Sequence, residues 1–239
     1  MTLAKQIRDK VLQLKEGTVV TLADFELPME QQPALNVTLN RLVAEGVLRR
    51  LSKGKFYREK QSMFGPLPPS EIEVVKDFLA KNGQTVGYIT GTRAFAEMGL
   101  TTQISPMIVV GTNKYKRAVR RGQYAISFLL QPNLIKDEEI ELYRILDALR
   151  LLKEIPAVTP DEAVAFLMGL IGWMKEEERK RLVELAQAYT PYVRALLGAM
   201  LEHIGLSAYD LKQRLNGVSS YKIPVSERVL PNKKEWRIV

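Results

Sequence analysis

The chain has 239 residues, 46% of them hydrophobic and 26% charged, and a formal net charge of +8 at pH 7. That length and apolar content suit one large domain or two small ones with a true core. With no cysteine, disulfides, thiolate catalysis and cysteine-based zinc sites are excluded.

The charge is unevenly placed. Residues 1–60 carry eleven Lys/Arg against seven Asp/Glu, residues 61–136 nine against four, and residues 137–239 fifteen against sixteen. A polyanion partner is therefore expected for the N-terminal part and not for the C-terminal helices.

Leu3, Ile7, Val11 and Leu14 share one face of a first helix, which Gly17 closes. Its alternating charged and apolar groups are unlike a signal peptide. Val19-Val20 is a short strand-like run. Thr21-Leu22-Ala23-Asp24 has the capping-box pattern, with Val20 and Phe25 placed as a hydrophobic staple, so a second helix is expected from Leu22 to about Leu27. Pro33 suits the first turn of a third helix. Leu35, Leu39, Leu42 and Val43 form its buried stripe, and Gly46 ends it. Asn36, Asn40 and Arg41 fall off that stripe and face outward. Val47-Leu48 starts a strand that continues into Arg49-Arg50, Ser52-Lys53-Gly54 is a tight turn, and Lys55-Phe56-Tyr57-Arg58 is the returning strand.

Helix, strand, helix, turn, helix, hairpin is the order of a winged helix-turn-helix. In such a module the third helix enters the major groove, and Gln31, Gln32, Asn36, Asn40 and Arg41 have the chemistry to read base edges. Arg49, Arg50, Lys53, Lys55 and Arg58, with Lys60 beyond, would neutralise phosphates. A small α/β module with a solvated basic hairpin has the same element order, and winged helices also serve protein contacts. The hairpin charge and the outward amides together favour double-stranded DNA.

Residues 62–69 lie in the stretch SMFGPLPPS, whose prolines and glycine predict a linker. The expected organisation is a DNA-binding domain over 1–61 and a second domain over 70–239. The latter divides into a mixed α/β unit (70–136), a helical region (137–216) and an extended tail (217–239). The fold class is α+β. Ser70 can cap a helix with Ile72, Val75, Phe78 and Leu79 on its buried face, ended by Asn82-Gly83. Strands are expected over Val86–Thr90, Pro106–Gly111 and Tyr124–Leu130, with a short helix from Arg93 to Met98. Helices follow at 140–152, after the cap and proline of Thr159-Pro160, and over 176–189, 191–203 and 207–216. The tail is expected to pack back through Trp236. The longest apolar run, Ala163 to Met174, is too short for a bilayer and is broken by Gly169 and Gly172, so no membrane association and a cytoplasmic location are expected.

Between two of the strands lie Lys114, Lys116, Arg117, Arg120 and Arg121 with no acid among them, flanked by Tyr115 and Tyr124. A solvated loop is the usual fate of such a run; the flanking tyrosines and the upstream module also suit a second nucleic-acid contact. Gly83, Gly87 and Gly91 match no phosphate-binding loop. Thr101-Thr102-Gln103 could be a polar site or a turn held by its own side chains. His203 is the only histidine, and the acidic clusters at 137–139 and 176–178 suit helix starts. No metal, no cofactor and no catalytic constellation is expected, so the chain looks like a binding protein and not an enzyme.

Residues 88–105, YITGTRAFAEMGLTTQIS, resemble the Tyr-x-(Thr/Ser)-Gly…Ala…Gly-Leu-Thr-Thr-Gln motif of AbiEi-type antitoxins of type IV toxin–antitoxin systems. The stretches ILDALRLLKEIPAVTPDE (145–162) and LNGVSSYKIPVSERVLPNKKEWRI (215–238) are similar to further segments of that family. The resemblance implies an N-terminal winged helix that binds inverted repeats in its own promoter and represses its operon. It also implies a C-terminal domain opposing a nucleotidyltransferase-like toxin, with no requirement for direct contact. A stand-alone winged-helix regulator without a toxin is the other reading.

Overall fold

In the computed structural model, which describes residues 2–239, the chain is a mixed α+β protein. It runs α1 (Leu3–Gln13), β1 (Val19–Thr21), two 3₁₀ turns (Leu22–Phe25 and Met29–Gln31), α2 (Gln32–Ala44), β2 (Arg49–Ser52), β3 (Lys55–Tyr57), β4 (Lys60–Ser62), β5 (Gly65–Leu67) and α3 (Glu71–Leu79). It continues through β6 (Ala80–Lys81), β7 (Gln84–Thr85), β8 (Gly87–Thr90), α4 (Thr92–Glu97), β9 (Met107–Thr112), β10 (Val119–Arg121) and β11 (Tyr124–Leu130). α5 (Ile140–Arg150), α6 (Pro160–Trp173), α7 (Glu176–Ala186), α8 (Pro191–His203) and α9 (Tyr209–Gln213) follow, with 3₁₀ turns at Asp137–Glu139, Leu152–Glu154 and, within the tail expected to be extended, Lys233–Trp236. Two compact units result. One holds the residues up to Asp77 together with Ala118–Ile126; the other holds Phe78–Arg117 and Ser127–Val239.

In the first unit, Ile7 and Val11 of α1 meet Leu35, Leu39 and Leu42 of α2, with Val20, Phe25, Leu48 and Phe56 completing one core. The apolar spacing of both helices produces this: each presents a single stripe at helical period. The sheet order is β1-β3-β2, all antiparallel, with Val20 and Arg50 on either side of Phe56. A bulge lies between Arg50 and Ser52, and Gly54 turns the hairpin at φ 71°. Gly46 takes φ 75° at the end of α2, where an L side chain would be strained.

Two expectations for this unit are corrected. The helix expected from Leu22 to about Leu27 is a four-residue 3₁₀ turn. Its capping box forms, with Thr21 N donating to Asp24 Oδ2 at 2.6 Å, but Glu26 adopts a left-handed φ of 54°. Leu27 then precedes Pro28, a position that disfavours helix. The linker expected over 62–69 contributes instead to the β4–β5 hairpin, paired Lys60↔Leu67, Gln61↔Pro66 and Ser62↔Gly65. Pro66 is tolerated because a two-stranded hairpin leaves each strand an open edge.

The first unit also extends beyond the expected boundary, because α3 is tied to its sheet. Glu73 accepts from Val19 N at 2.8 Å, and Asp77 pairs with Lys55 at 3.0 Å. Asp77 also pairs with Arg121 of β10 at 2.6 Å. Val74 and Val75 are the buried residues of α3, whereas Ile72 is exposed. Asn82-Gly83, expected as a helix stop, forms the two-residue turn of the β6–β7 hairpin with φ of 51° and 74°.

In the second unit β8 pairs antiparallel with β9, and β9 lies between β8 and β11. α8 is buried on nearly every face, as its apolar sequence requires, and serves as the central rod. α6 starts at the Thr159 cap, which forms a capping box with Glu162. The tail returns as expected: Tyr221 N donates to Arg237 O at 2.8 Å and Val239 N to Tyr221 O at 2.9 Å, and Trp236 is fully buried against Gly198.

Candidate nucleic-acid interface

The side of α2 opposite its core stripe presents Asn36, Val37 and Arg41 to solvent, with Asn40 half-buried beside them. Asn40 Nδ2 donates to Asn36 Oδ1 at 3.4 Å, and Arg50 of β2 donates to Asn40 Oδ1. The Arg50 guanidinium lies 5.5 Å from the centroid of Phe56, a cation–π distance that orients it across the sheet. The helix amides and the hairpin cations are thus physically joined through Arg50. Arg49 is exposed, 3.3 Å from Glu59, and Lys53 is exposed at the hairpin turn. Gln31 is exposed in the 3₁₀ turn before α2, and Gln32 is half-buried. Arg41 lies 3.4 Å from Glu45.

Three expected phosphate ligands are turned inward. Lys55 is held by Asp77, as above. Arg58 donates to the carbonyls of Leu12 and Leu14 at 2.8 and 3.0 Å, where a cation complements the open C-terminus of α1. Arg121 is buried, makes a two-pronged pair with Asp77 (2.6 and 2.9 Å) and also donates to the carbonyl of Val74. Burial alone would raise the Asp77 carboxyl, but the bonds from Arg121 and Lys55 outweigh it and hold the group below its ordinary range. Arg121→Ala is therefore expected to cost about 2 kcal/mol of stability, less than a fully buried pair because Asp77 stays partly solvated. Chemical denaturation of the variant measures this.

Lys114, Lys116, Arg117 and Arg120 are all exposed, and Tyr115 is 81% exposed beside them. The first three belong to the second unit and Arg120 to the first. The 113–117 loop is anchored: Thr112 Oγ1 donates to Lys114 O at 2.9 Å, and Asn113 Nδ2 donates to Gln131 O at 2.9 Å. Val37, 69% exposed, is a groove-face candidate that the sequence reading passed over. Its position off the Leu35–Leu39–Leu42 stripe was the available signal.

The motif residues 88–105 and 145–162 come together in the second unit. Tyr88 and Thr90, on one face of β8, donate to Asp147 Oδ2 at 2.7 and 2.9 Å, and Tyr189 donates to Oδ1 at 3.1 Å. Gln131 Nε2 lies 2.7 Å from both tyrosine oxygens and donates to them, which aims their protons at the carboxylate. A Cβ at Gly111 would lie 2.4 Å from the Tyr88 ring, and one at Gly91 2.8 Å from Val109. Thr101 Oγ1 donates to Pro156 O at 2.7 Å and accepts from Gln103 N at 3.2 Å, which makes Thr101-Thr102-Gln103 a turn tied to the Ile-Pro segment. Asp147 itself was missed; a lone carboxylate at i+4 from buried Tyr143 on an apolar helix face was the clue.

Asp147 is fully buried, and burial pushes its carboxyl up to about 6 despite the three hydroxyl donors. A raised acid stabilises the fold below its unfolded value, and that contribution is lost as the pH rises through the folded value. Relative to Asp147→Asn, the wild type is expected to lose on the order of 3 kcal/mol between about pH 4 and 6. Urea denaturation of both proteins across that window tests it.

Among the described residues no group of three or more His, Cys, Asp or Glu could hold a metal, and no helix is long and apolar enough to cross a membrane.

The fold and this arrangement place the chain among α+β proteins with a basic N-terminal helix-and-hairpin unit. The chain belongs to DUF6088, a family of unknown function whose model matches residues 6–164, from α1 into the start of α6. The crystal structure of RV2827C protein from Mycobacterium tuberculosis is similar over 91% of this chain and 82% of that one, at 14% identity and a TM-score of 0.48. No curated protein matches.

Proposed function

We propose that the first unit is a winged helix-turn-helix, with α2 as the recognition helix and β2–β3 as the wing, and that the protein is a DNA-binding autorepressor. The observation that carries this reading is the junction of Asn36, Asn40 and Arg41 on α2 with Arg49, Arg50 and Lys53 on the hairpin through the Arg50–Asn40 bond. Asn is suited to adenine edges, an exposed Val methyl to thymine, and hairpin cations to phosphates. The ligand is double-stranded DNA bearing inverted repeats upstream of the gene, and the site of action is the cytoplasm. Arg120, in the same unit, extends the contact to flanking DNA; Lys55, Arg58 and Arg121 serve the fold.

The second unit, in this proposal, supplies antitoxin activity of type IV, opposing a nucleotidyltransferase-like toxin encoded beside it. What supports this is the resemblance carried by residues 88–105, 145–162 and the tail, which the Asp147 cluster, the Thr101–Pro156 bond and the bonds from Ser226 of the tail to Asp161 assemble into one packed region. Co-expression with the neighbouring gene tests it. Relief of growth arrest by this chain is the expected result; arrest unrelieved, or a neighbour without toxicity, would leave a stand-alone regulator.

A further inference from the structure

We infer that the tip of the β4–β5 hairpin, Met63-Phe64, is an apolar wedge that enters the minor groove of duplex DNA and opens a base step. This rests on the DNA-binding reading above and adds to it a deformation of the DNA.

Met63 is 95% and Phe64 96% exposed. Two adjacent large apolar side chains wholly in water are costly, and here nothing of the hairpin's own covers them. The tip is also preorganised. Ser62 Oγ donates to Gly65 O at 2.7 Å and accepts from Phe64 N at 3.2 Å, while Gly65 takes φ 104°. Pro66 stiffens the returning strand, which pairs fully with β4. A rigid tip inserts with little ordering cost.

Composition selects the occupant. From Lys60 to Ser70 the segment holds one cation and no acid, and the hairpin follows directly on β3 in the unit that carries Arg49, Arg50 and Lys53. Met, Phe and Pro are the side chains that wedge between base steps in minor-groove binders, where unstacking is repaid by the added surface that bent DNA offers. A second copy or another protein fits less well, since two tip residues fall far short of the about 800 Å² per partner that a stable protein interface buries.

The test uses the full chain and duplexes from the DNA upstream of its gene, with 2-aminopurine placed in turn at pyrimidine–purine steps, which unstack most easily. Wild type is expected to raise the fluorescence at one step. Met63→Ala/Phe64→Ala should abolish that rise and bind about tenfold more weakly, with an unchanged salt slope because no charge is removed. Its melting temperature should match wild type, and Phe64→Leu should restore part of the signal. An unchanged rise or unchanged affinity in the double variant overturns the wedge while leaving the repressor reading standing. So does loss of self-association in place of the DNA effect, read by sedimentation. If wild type fails to bind the duplexes at all, the repressor reading falls and the wedge with it.

Discussion

Trp236→Ala is expected to destabilise the second unit by about 3–5 kcal/mol, the range for removing a large aromatic ring from a packed core. The ring is fully buried, its Nε1 donates to Glu202 Oε2 at 2.6 Å, and Lys212 Nζ lies 5.1 Å from its centroid. Its far edge lies on the backbone of Gly198, where an added Cβ would be 2.1 Å from the Trp236 ring. Alanine at 236 therefore leaves a cavity against α8 and takes one donor from the Glu202 carboxylate, which keeps Lys212 at 3.4 Å. Gly198→Ala attacks the same contact from the other side and should also destabilise, by overpacking. Urea denaturation followed by far-ultraviolet circular dichroism reads wild type and variant alike, since Trp173, the tryptophan left in the variant, is 91% exposed and a poor fluorescent reporter. A loss below about 1 kcal/mol for Trp236→Ala would mean that the tail does not hold this unit together.

Removing the three available wing cations together, as Arg49→Ala/Arg50→Ala/Lys53→Ala, is expected to weaken DNA binding at least about 100-fold and to flatten the salt slope by about 3. Arg49 and Lys53 act through charge. Arg50 also orients Asn40, so its loss should relax sequence discrimination as well as affinity. Lys55→Ala and Arg58→Ala make the contrast. Both cations already serve the fold, through Asp77 and the end of α1, so these changes should lower the melting temperature and leave the salt slope nearly unchanged. Fluorescence anisotropy across a salt series reads both effects. Equal slopes for the triple variant and wild type would take the wing out of the interface.

Much of the first unit was legible because its helices obey a single period. Leu35, Leu39 and Leu42 are fully buried, and Gly46 ends α2 where a left-handed residue is needed. The 22–27 segment misled because a capping box marks a helical start without fixing its length; Pro28 decides that. The segment after β3 misled because three prolines suggest a break, yet one of them suits an edge strand. Charge counting could not separate cations left exposed from cations that tie the fold together. Lys55, Arg58 and Arg121 differ from Arg49 and Lys53 only in the partners that tertiary structure supplies, such as Asp77, which lies far along the chain. The motif at 88–105 was visible as letters; that Tyr88 and Thr90 serve a buried carboxylate at 147 follows only once β8 and α5 are packed together.

The repressor proposal is tested most directly by binding of the purified full chain to the duplex upstream of its own gene over a salt series, beside a scrambled duplex of the same composition. Tight binding to the native duplex that falls linearly with the logarithm of salt is expected, with at least about tenfold weaker binding to the scrambled one. Equal affinity for the two duplexes, or no salt-dependent binding to either, would contradict the proposal.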